Sequence, residues 1–195
     1  MNFLAHVYLS GNNTPLAIGN LIADRVKGND LSNYDPLIRQ GIMLHREIDQ
    51  YTDSHPFFKK SASLLFPKYR HYGRVIVDMF YDHFLAANWS RFHKMSLEHY
   101  SQNFYKSLKN YSEQLPEDIQ KMLFFLVRDD WFLKYKSVDG LDNILKKMAK
   151  RTRFESKMDV ATKDLELHYV ELKHNFFIFM PDLIQFTNRN ELLPK

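Results

Sequence analysis

The sequence predicts an all-α fold, a single compact domain of many helices spanning residues 1–195. Apolar residues recur at the i, i+3, i+4 and i+7 spacing of amphipathic helices through nearly the whole chain. Only six Gly and seven Pro occur in 195 residues, so sharp turns and sheet corners are few. The length suits one domain, and no internal repeat, low-complexity tract or linker divides it.

Two apolar stripes predict the helices that carry the chemistry. The first stripe consists of Leu37, Gly41, Leu44, Ile48 and Tyr51. The second follows Tyr72 and consists of Val75, Ile76, Met79, Phe80, His83, Phe84 and Ala87. In both segments the carboxylates lie beside the stripe, so we expect them at the edge of a buried face.

Helical periodicity also continues through the second half of the chain. One helix is predicted around Tyr100–Tyr111, and the next begins near Pro116, which suits a first turn. The pattern breaks at Asp139-Gly140 and resumes at Leu141. A long final helix is predicted from Phe154 onward, with Pro181 kinking or ending it.

Composition excludes several classes of protein. There is no Cys, which rules out disulfides and thiolate ligands. The N-terminus lacks the features of a signal peptide and no apolar run approaches about 20 residues, so we expect a cytoplasmic protein without membrane contact. A net charge of +4 suggests an acidic partner but is too small to predict nucleic-acid binding.

The most informative pattern is a file of His45, Asp49 and Asp53, which step by four residues. On a helix this spacing places all three side chains along one face. Asp78 and Asp82 have the same four-residue spacing, one turn apart, on another predicted helix. Two helices that present carboxylates and His together predict a divalent metal site.

Each of these residues also has a structural interpretation. An isolated His on an apolar stripe is commonly a hydrogen-bonded core residue, and exposed helix carboxylates commonly pair with Lys or Arg at little gain. Their co-occurrence favours a metal, because carboxylates at a buried edge need a compensating charge or proton. Mixed His and carboxylate ligands suit Mn²⁺ or Mg²⁺, with Zn²⁺ or Fe²⁺ as alternatives.

Several motifs along the chain carry a family resemblance. They are Asn2-Phe3-Leu4-Ala5-His6, Gly19-Asn20-Leu21 with Ala23-Asp24, His45-Arg46 with Ile48-Asp49 and Thr52-Asp53, and Asp78 with Asp82-His83-Phe84-Leu85 and Trp89. Together they resemble the acyl carrier protein phosphodiesterase family. The resemblance implies a Mn²⁺-dependent hydrolase that removes 4′-phosphopantetheine from a serine of holo-acyl carrier protein. It also implies an HD-like helical core, although the adjacent pair here is reversed, as Asp82-His83.

The resemblance also implies roles for individual residues. The expected metal ligands are His6, Asp24, His45, Asp49 and Asp82. The expected catalytic residues are Asp24, His45, Arg46 and His83, where Arg46 offsets phosphate charge and His83 or His45 protonates the leaving serine oxygen. The residues expected to orient these groups are Asn20, Asp53 and Asp78.

The expected substrate is itself a strongly acidic protein, so basic residues are candidates for docking it. Residues 146–153 contain five basic side chains and no acid. The candidates are Arg25, Lys27, Lys146, Lys147, Lys150 and Arg151. For any one of them, a solvated helix face is the simpler interpretation.

Two other functions are compatible with the residues. An HD-type phosphohydrolase acting on a small nucleotide would use the same metal chemistry, and a panel of nucleotides would identify it. A non-catalytic helical module binding nucleic acid through its basic run is the second alternative, but it leaves the His and Asp files unexplained.

Overall fold

The computed structural model describes residues 1–28 and 30–190, so Asn29 of the Gly28-Asn29-Asp30 loop and the last five residues of the predicted domain lie outside the described part. Within it the fold is all-α, as predicted, and no strand occurs. The helices are α1 (Phe3–Leu9), α2 (Thr14–Ile22), α3 (Pro36–Ser54), α4 (Pro56–Tyr69), α5 (Tyr72–Ala87), α6 (Leu97–Ser112), α7 (Glu117–Arg128), α8 (Trp131–Lys134), α9 (Val138–Ala149), α10 (Ala161–Leu167) and α11 (Tyr169–Asn188). The domain boundary and the likeness to an HD core stay predictions.

Helices α2 and α3 pack closely against each other because a glycine of each helix lies where the two helices cross. A Cβ atom added to Gly19 would lie 2.0 Å from the carbonyl oxygen of Ile38, and one added to Gly41 would lie 2.0 Å from that of Leu16. Only glycine allows this approach of two backbones. The approach brings the end of α2, with Asn20, against the middle of α3, with His45.

Helix α5 is the centre of the core and also fixes α1. Its Met79, Phe80 and Phe84 are fully buried. Its Asp82 is also fully buried, and the two carboxylate oxygens accept the backbone N–H groups of Leu4 and Ala5 at 2.8 and 3.2 Å. A carboxylate at this position satisfies amides left unpaired in the first turn of α1 and opposes the positive end of that helix.

Two boundary predictions for the second half of the chain are wrong. Asp139-Gly140 does not break a helix but lies in the first turn of α9, where Ser137 caps the amide of Gly140 at 3.1 Å. Glycine is required there because a Cβ would lie 2.2 Å from the carbonyl oxygen of Lys134.

The predicted final helix is also two helices, α10 and α11, separated at His168. Phe154 precedes both of them and is exposed. Pro181 lies inside α11 and does not end it. The neighbouring Phe179, Met180 and Leu183 are fully buried, and their packing outweighs the hydrogen bond that proline removes.

No helix among residues 1–28 and 30–190 is long and apolar enough to cross a membrane.

Candidate metal centre

Four predicted site residues from three segments meet at one place. His6 comes from α1, Asp24 from the short 3₁₀ turn after α2, and His45 and Asp49 from α3. The Nε2 atom of His45 lies 3.0 Å from Oδ2 of Asp49 and 3.3 Å from Oδ1 of Asp24. The Nε2 atom of His6 lies 3.4 Å from Oδ1 of Asp49, and the two imidazole rings stack with centroids 4.0 Å apart.

Asn20 orients both histidines. Its side-chain Nδ2 donates to the carbonyl of His6 and to Oγ of Ser10, both at 2.9 Å, which fixes the amide so that Oδ1 faces Nδ1 of His6 at 2.6 Å. The backbone oxygen of Asn20 lies 2.7 Å from Nδ1 of His45. Both contacts require a proton on Nδ1, since both partners only accept. In each neutral ring the Nε2 lone pair is therefore exposed to the cluster.

These lone pairs face other acceptors. Nε2 of His6 meets Oδ1 of Asp49 and, at 3.1 Å, the carbonyl of Met1. Nε2 of His45 meets two carboxylates. Such a convergence of acceptors is unfavourable unless a proton or a cation lies among them. Among the described residues, His6, His45 and Asp49 form the one group of three potential ligands, with ligand atoms within 4.8 Å of one another. This donor set fits a divalent ion bound by nitrogen and oxygen.

Burial and charge give the two histidines opposite proton affinities. Burial and the neighbouring charge of His45 lower the pKa of His6 to about 4, so this ring is neutral at physiological pH. Burial also acts to lower the pKa of His45, but hydrogen bonds to Asp24 and Asp49 outweigh it and raise that pKa to about 9. Without a metal, His45 is therefore the group that supplies the positive charge.

The amino group of Met1 adds a second positive charge at the edge of the cluster. It lies 2.9 Å from Oδ1 of Asp78 and 3.7 Å from Oδ1 of Asp49. Burial raises the pKa of Asp78 to about 6 against the effect of this ammonium group. The structure thus connects Asp78 to the cluster through Met1, as suits the supporting role predicted for it.

Three other predicted residues do not join the cluster. Asp82 binds the amides of α1, so its effect on His6 is indirect. His83 directs Nδ1 to the carbonyl of Tyr135 at 2.8 Å and Nε2 to the hydroxyl of Tyr169 at 3.2 Å. Asp53 pairs with Arg74 at 2.7 Å on the surface. Metal binding by Asp82 and proton transfer by His83 stay predictions, and these contacts favour structural roles.

Arg46 is exposed beside the cluster and donates to the carbonyl of Gly28 at 2.9 Å. It thereby tethers the segment that follows Asp24.

The predicted docking residues separate into two groups. Lys146 and Lys147 pair with Asp142 and Asp129, each at 2.6 Å. Arg25 and Arg151, far apart in sequence, line one cavity. No ion pair involves Arg25, Lys27, Lys150 or Arg151 within residues 1–28 and 30–190.

Sequence reasoning missed Ser10 and the amino group of Met1. Ser10 is buried, donates to the carbonyl of His6 at 2.8 Å and accepts from Asn20. Its position four residues after His6 is a local signal of this kind of backbone contact. The contact of Met1 with α5 has no such local signal, because it depends on how α1 packs.

Comparison with known proteins agrees with the resemblance seen in the motifs. The family model described as "Acyl carrier protein phosphodiesterase" matches residues 1–183. Curated relatives of that name include one from Photorhabdus laumondii, 31% identical over 95% of this chain and 94% of its own length. Another, from Serratia proteamaculans, is 28% identical over 98% of this chain and its own full length, and one from Yersinia enterocolitica is 30% identical over 94% and 96%. No solved structure matches significantly.

Proposed function

Because this chain belongs to the acyl carrier protein phosphodiesterase family, we propose that it hydrolyses the phosphodiester of holo-acyl carrier protein, releasing 4′-phosphopantetheine and the apo protein. The relatives' shared name, acyl carrier protein phosphodiesterase, supports the reaction. We further propose that the reaction depends on a divalent ion, Mn²⁺ or a similar metal, held by His6, His45 and Asp49.

One observation carries the metal proposal. Two histidines, each with Nδ1 committed to an acceptor on Asn20, direct Nε2 at the same carboxylate, Asp49. In the metal-free protein a proton on His45 supplies a donor for Asp24 and Asp49. Neutral His6 still directs the lone pair of Nε2 at two acceptors, Oδ1 of Asp49 and the carbonyl of Met1, whereas a purely structural cluster would place a donor there. A bound divalent ion would stabilise charge on a phosphate oxygen and lower the pKa of a bound water.

Asp24 and Arg46 are proposed to position the attacking water and the phosphate. The side chain of Asp24 is 71% exposed, and its hydrogen bond to His45 holds the pKa of the carboxyl below its usual range. Asp24 is therefore an ionised carboxylate at the open side of the cluster, suited to contact a bound ion and to orient the attacking water by accepting its hydrogen bond. Arg46 follows His45 in the sequence, and its exposed guanidinium, which donates to the carbonyl of Gly28, is proposed to interact with the phosphate.

The carrier protein is the proposed macromolecular partner, bound in the cytoplasm without involvement of membrane or nucleic acid. Arg25, Lys27, Lys150 and Arg151 are the favoured docking residues, because the structure pairs Lys146 and Lys147 with acids of this chain. A charge already paired contributes less to the field that steers an acidic partner.

The test uses purified protein stripped of metal with a chelator. Conversion of holo- to apo-carrier is followed on a conformation-sensitive gel before and after addition of Mn²⁺. We expect no conversion before addition, and recovery after it. Activity that is indifferent to chelation would refute the metal proposal. Hydrolysis of a nucleotide panel in place of the carrier would favour the nucleotide phosphohydrolase instead.

His45→Gln and His55→Gln are matched variants for this assay. Both histidines are buried and both contact an Asp through Nε2, but His55 pairs with Asp182 at 3.3 Å and is no part of the cluster. We expect His45→Gln to lose Mn²⁺-dependent conversion and His55→Gln to retain it. Wild-type Mn²⁺-dependent activity in both variants would show that His45 is not part of the site.

A further inference from the structure

A cavity of about 230 Å³ is lined by residues from two elements that also carry metal-centre residues, and its walls are complementary to the substrate's arm. Its walls are formed by Phe3, Arg25, Met122, Phe125, Leu126, Trp131, Met148, Arg151 and Thr152. On the basis of the proposed function, we propose that this cavity binds the pantetheine arm of the carrier protein while the phosphate lies at His6, His45 and Asp49.

The position of the cavity suits this occupant. Arg25 follows Asp24 directly in the 3₁₀ turn Ala23–Arg25, so their Cα atoms are about 3.8 Å apart. Phe3 and His6 are three residues apart on α1, which places them on the same side of that helix. The cavity and the metal centre therefore share two structural elements, the 3₁₀ turn and α1, and the proposal places the arm along them.

The chemistry of the walls also suits the arm, which is a chain of methylene groups with two amides, attached to an anionic phosphate. Leu126 is buried and Met122 and Met148 are half-buried, and such apolar walls suit methylene groups. Arg25 and Arg151 are exposed at the rim, and no ion pair engages them within the described residues. Their charge is complementary to the phosphate end and to an acidic carrier.

Trp131 contributes a buried hydrogen-bond donor to the wall of the cavity. The side chain is 7% exposed and packs against Phe3 with ring centroids 5.7 Å apart. Its buried Nε1–H has no hydrogen-bond partner within residues 1–28 and 30–190. Buried indole N–H groups are normally paired. An amide oxygen of the arm, lying along this wall, provides the acceptor that the protein does not.

The test measures binding of free 4′-phosphopantetheine to metal-free protein by calorimetry, so that the readout does not depend on catalysis. Met122→Trp fills the cavity from α7, and Phe124→Trp is its control, since Phe124 lies on the same helix but lines a different cavity. We expect affinity to fall at least tenfold in Met122→Trp and to stay within twofold of wild type in Phe124→Trp.

Trp131→Phe keeps an aromatic ring against Phe3 but removes the N–H donor. The loss of one hydrogen bond should weaken binding between about twofold and tenfold. Met148→Trp fills the cavity from α9 and replaces Met122→Trp if circular dichroism shows that the latter does not fold.

Unchanged affinity in a folded cavity-filling variant, or absence of binding to wild type, overturns the assignment of this cavity. Hydrolysis of holo-carrier is measured on the same proteins. A wild type that hydrolyses the carrier while the filled variant binds the arm normally refutes the cavity alone. A wild type that does not hydrolyse the carrier refutes the proposed function, whatever the cavity binds.

Discussion

Replacement of Asn20 by Ala should damage both the fold and the metal centre. Asn20 is fully buried, and its side chain contacts Nδ1 of His6 and donates to the carbonyl of His6 and Oγ of Ser10. Ala leaves Nδ1 of His6 without a partner, whereas Oγ of Ser10 and the carbonyl of His6 still pair with each other at 2.8 Å. One buried group left unsatisfied costs about 1–3 kcal/mol, and we expect a loss of that size in the free energy of unfolding.

The same substitution should weaken Mn²⁺ binding. Without Asn20, neither the orientation nor the tautomer of His6 is fixed, and loss of a partner that orients a metal ligand typically costs 10–100-fold in affinity. The assay is calorimetric titration of Mn²⁺ into chelator-treated protein, together with urea unfolding of the metal-free form.

Asn175→Ala is the control for this experiment. Asn175 is also fully buried, but it donates to Ser61 at 3.1 Å and its Oδ1 has no partner in the described part of the chain. We expect Asn175→Ala to lose roughly 1 kcal/mol and to bind Mn²⁺ as wild type does. Wild-type Mn²⁺ affinity in folded Asn20→Ala would refute the role given to Asn20.

Four further predictions concern the proton on His45, the packing of α2 on α3 and the charge of Arg25. His45, its pKa raised to about 9 by Asp24 and Asp49 despite burial, must lose a proton to bind an ion. Mn²⁺ affinity should therefore rise roughly tenfold per pH unit between pH 7 and 9, whereas a flat profile would contradict this. In metal-free protein the protonated ring stabilises the fold fully below its unfolded pKa of about 6.5, and urea titrations should show this stabilisation lost as pH rises through about 9. Gly41→Ala, which puts a Cβ 2.0 Å from a backbone oxygen of α2, should cost about 3 kcal/mol, the upper end of the usual cost of overpacking. Gly73→Ala, with its nearest contact at 3.4 Å, should be near neutral, and equal melting temperatures would contradict the close packing of α2 on α3. Arg25→Glu should raise KM for the carrier and reduce its salt dependence more than Lys146→Glu does, because Lys146 is paired with an acid of its own helix.

The part of the site that the sequence predicts best is local. His45 and Asp49 are four residues apart on one helix, so their proximity follows from helical geometry alone. His6 and Asp24 belong to other elements. They lie near His45 and Asp49 because glycines let α2 and α3 pack closely and because Asp82 binds the first turn of α1. The spacing of apolar residues in the sequence predicts neither contact.

Asp82 shows why spacing alone does not assign ligands. Asp78 and Asp82 have the same one-turn spacing as His45 and Asp49, yet Asp82 binds backbone amides at the start of α1. A helix N-terminus and a cation both attract a carboxylate, and only the tertiary contact distinguishes them. Pro181 is a second case, for the fold: of the kink or end predicted there, the end is wrong, since α11 continues past Pro181 among buried neighbours.

The central claim is that a divalent ion on His6, His45 and Asp49 enables this chain to release 4′-phosphopantetheine from holo-carrier. The most direct measurement is phosphopantetheine release by metal-stripped wild type and Asp49→Asn, each assayed before and after addition of Mn²⁺. We expect release only from wild type and only after addition of Mn²⁺. Equal release in all four conditions would contradict the claim.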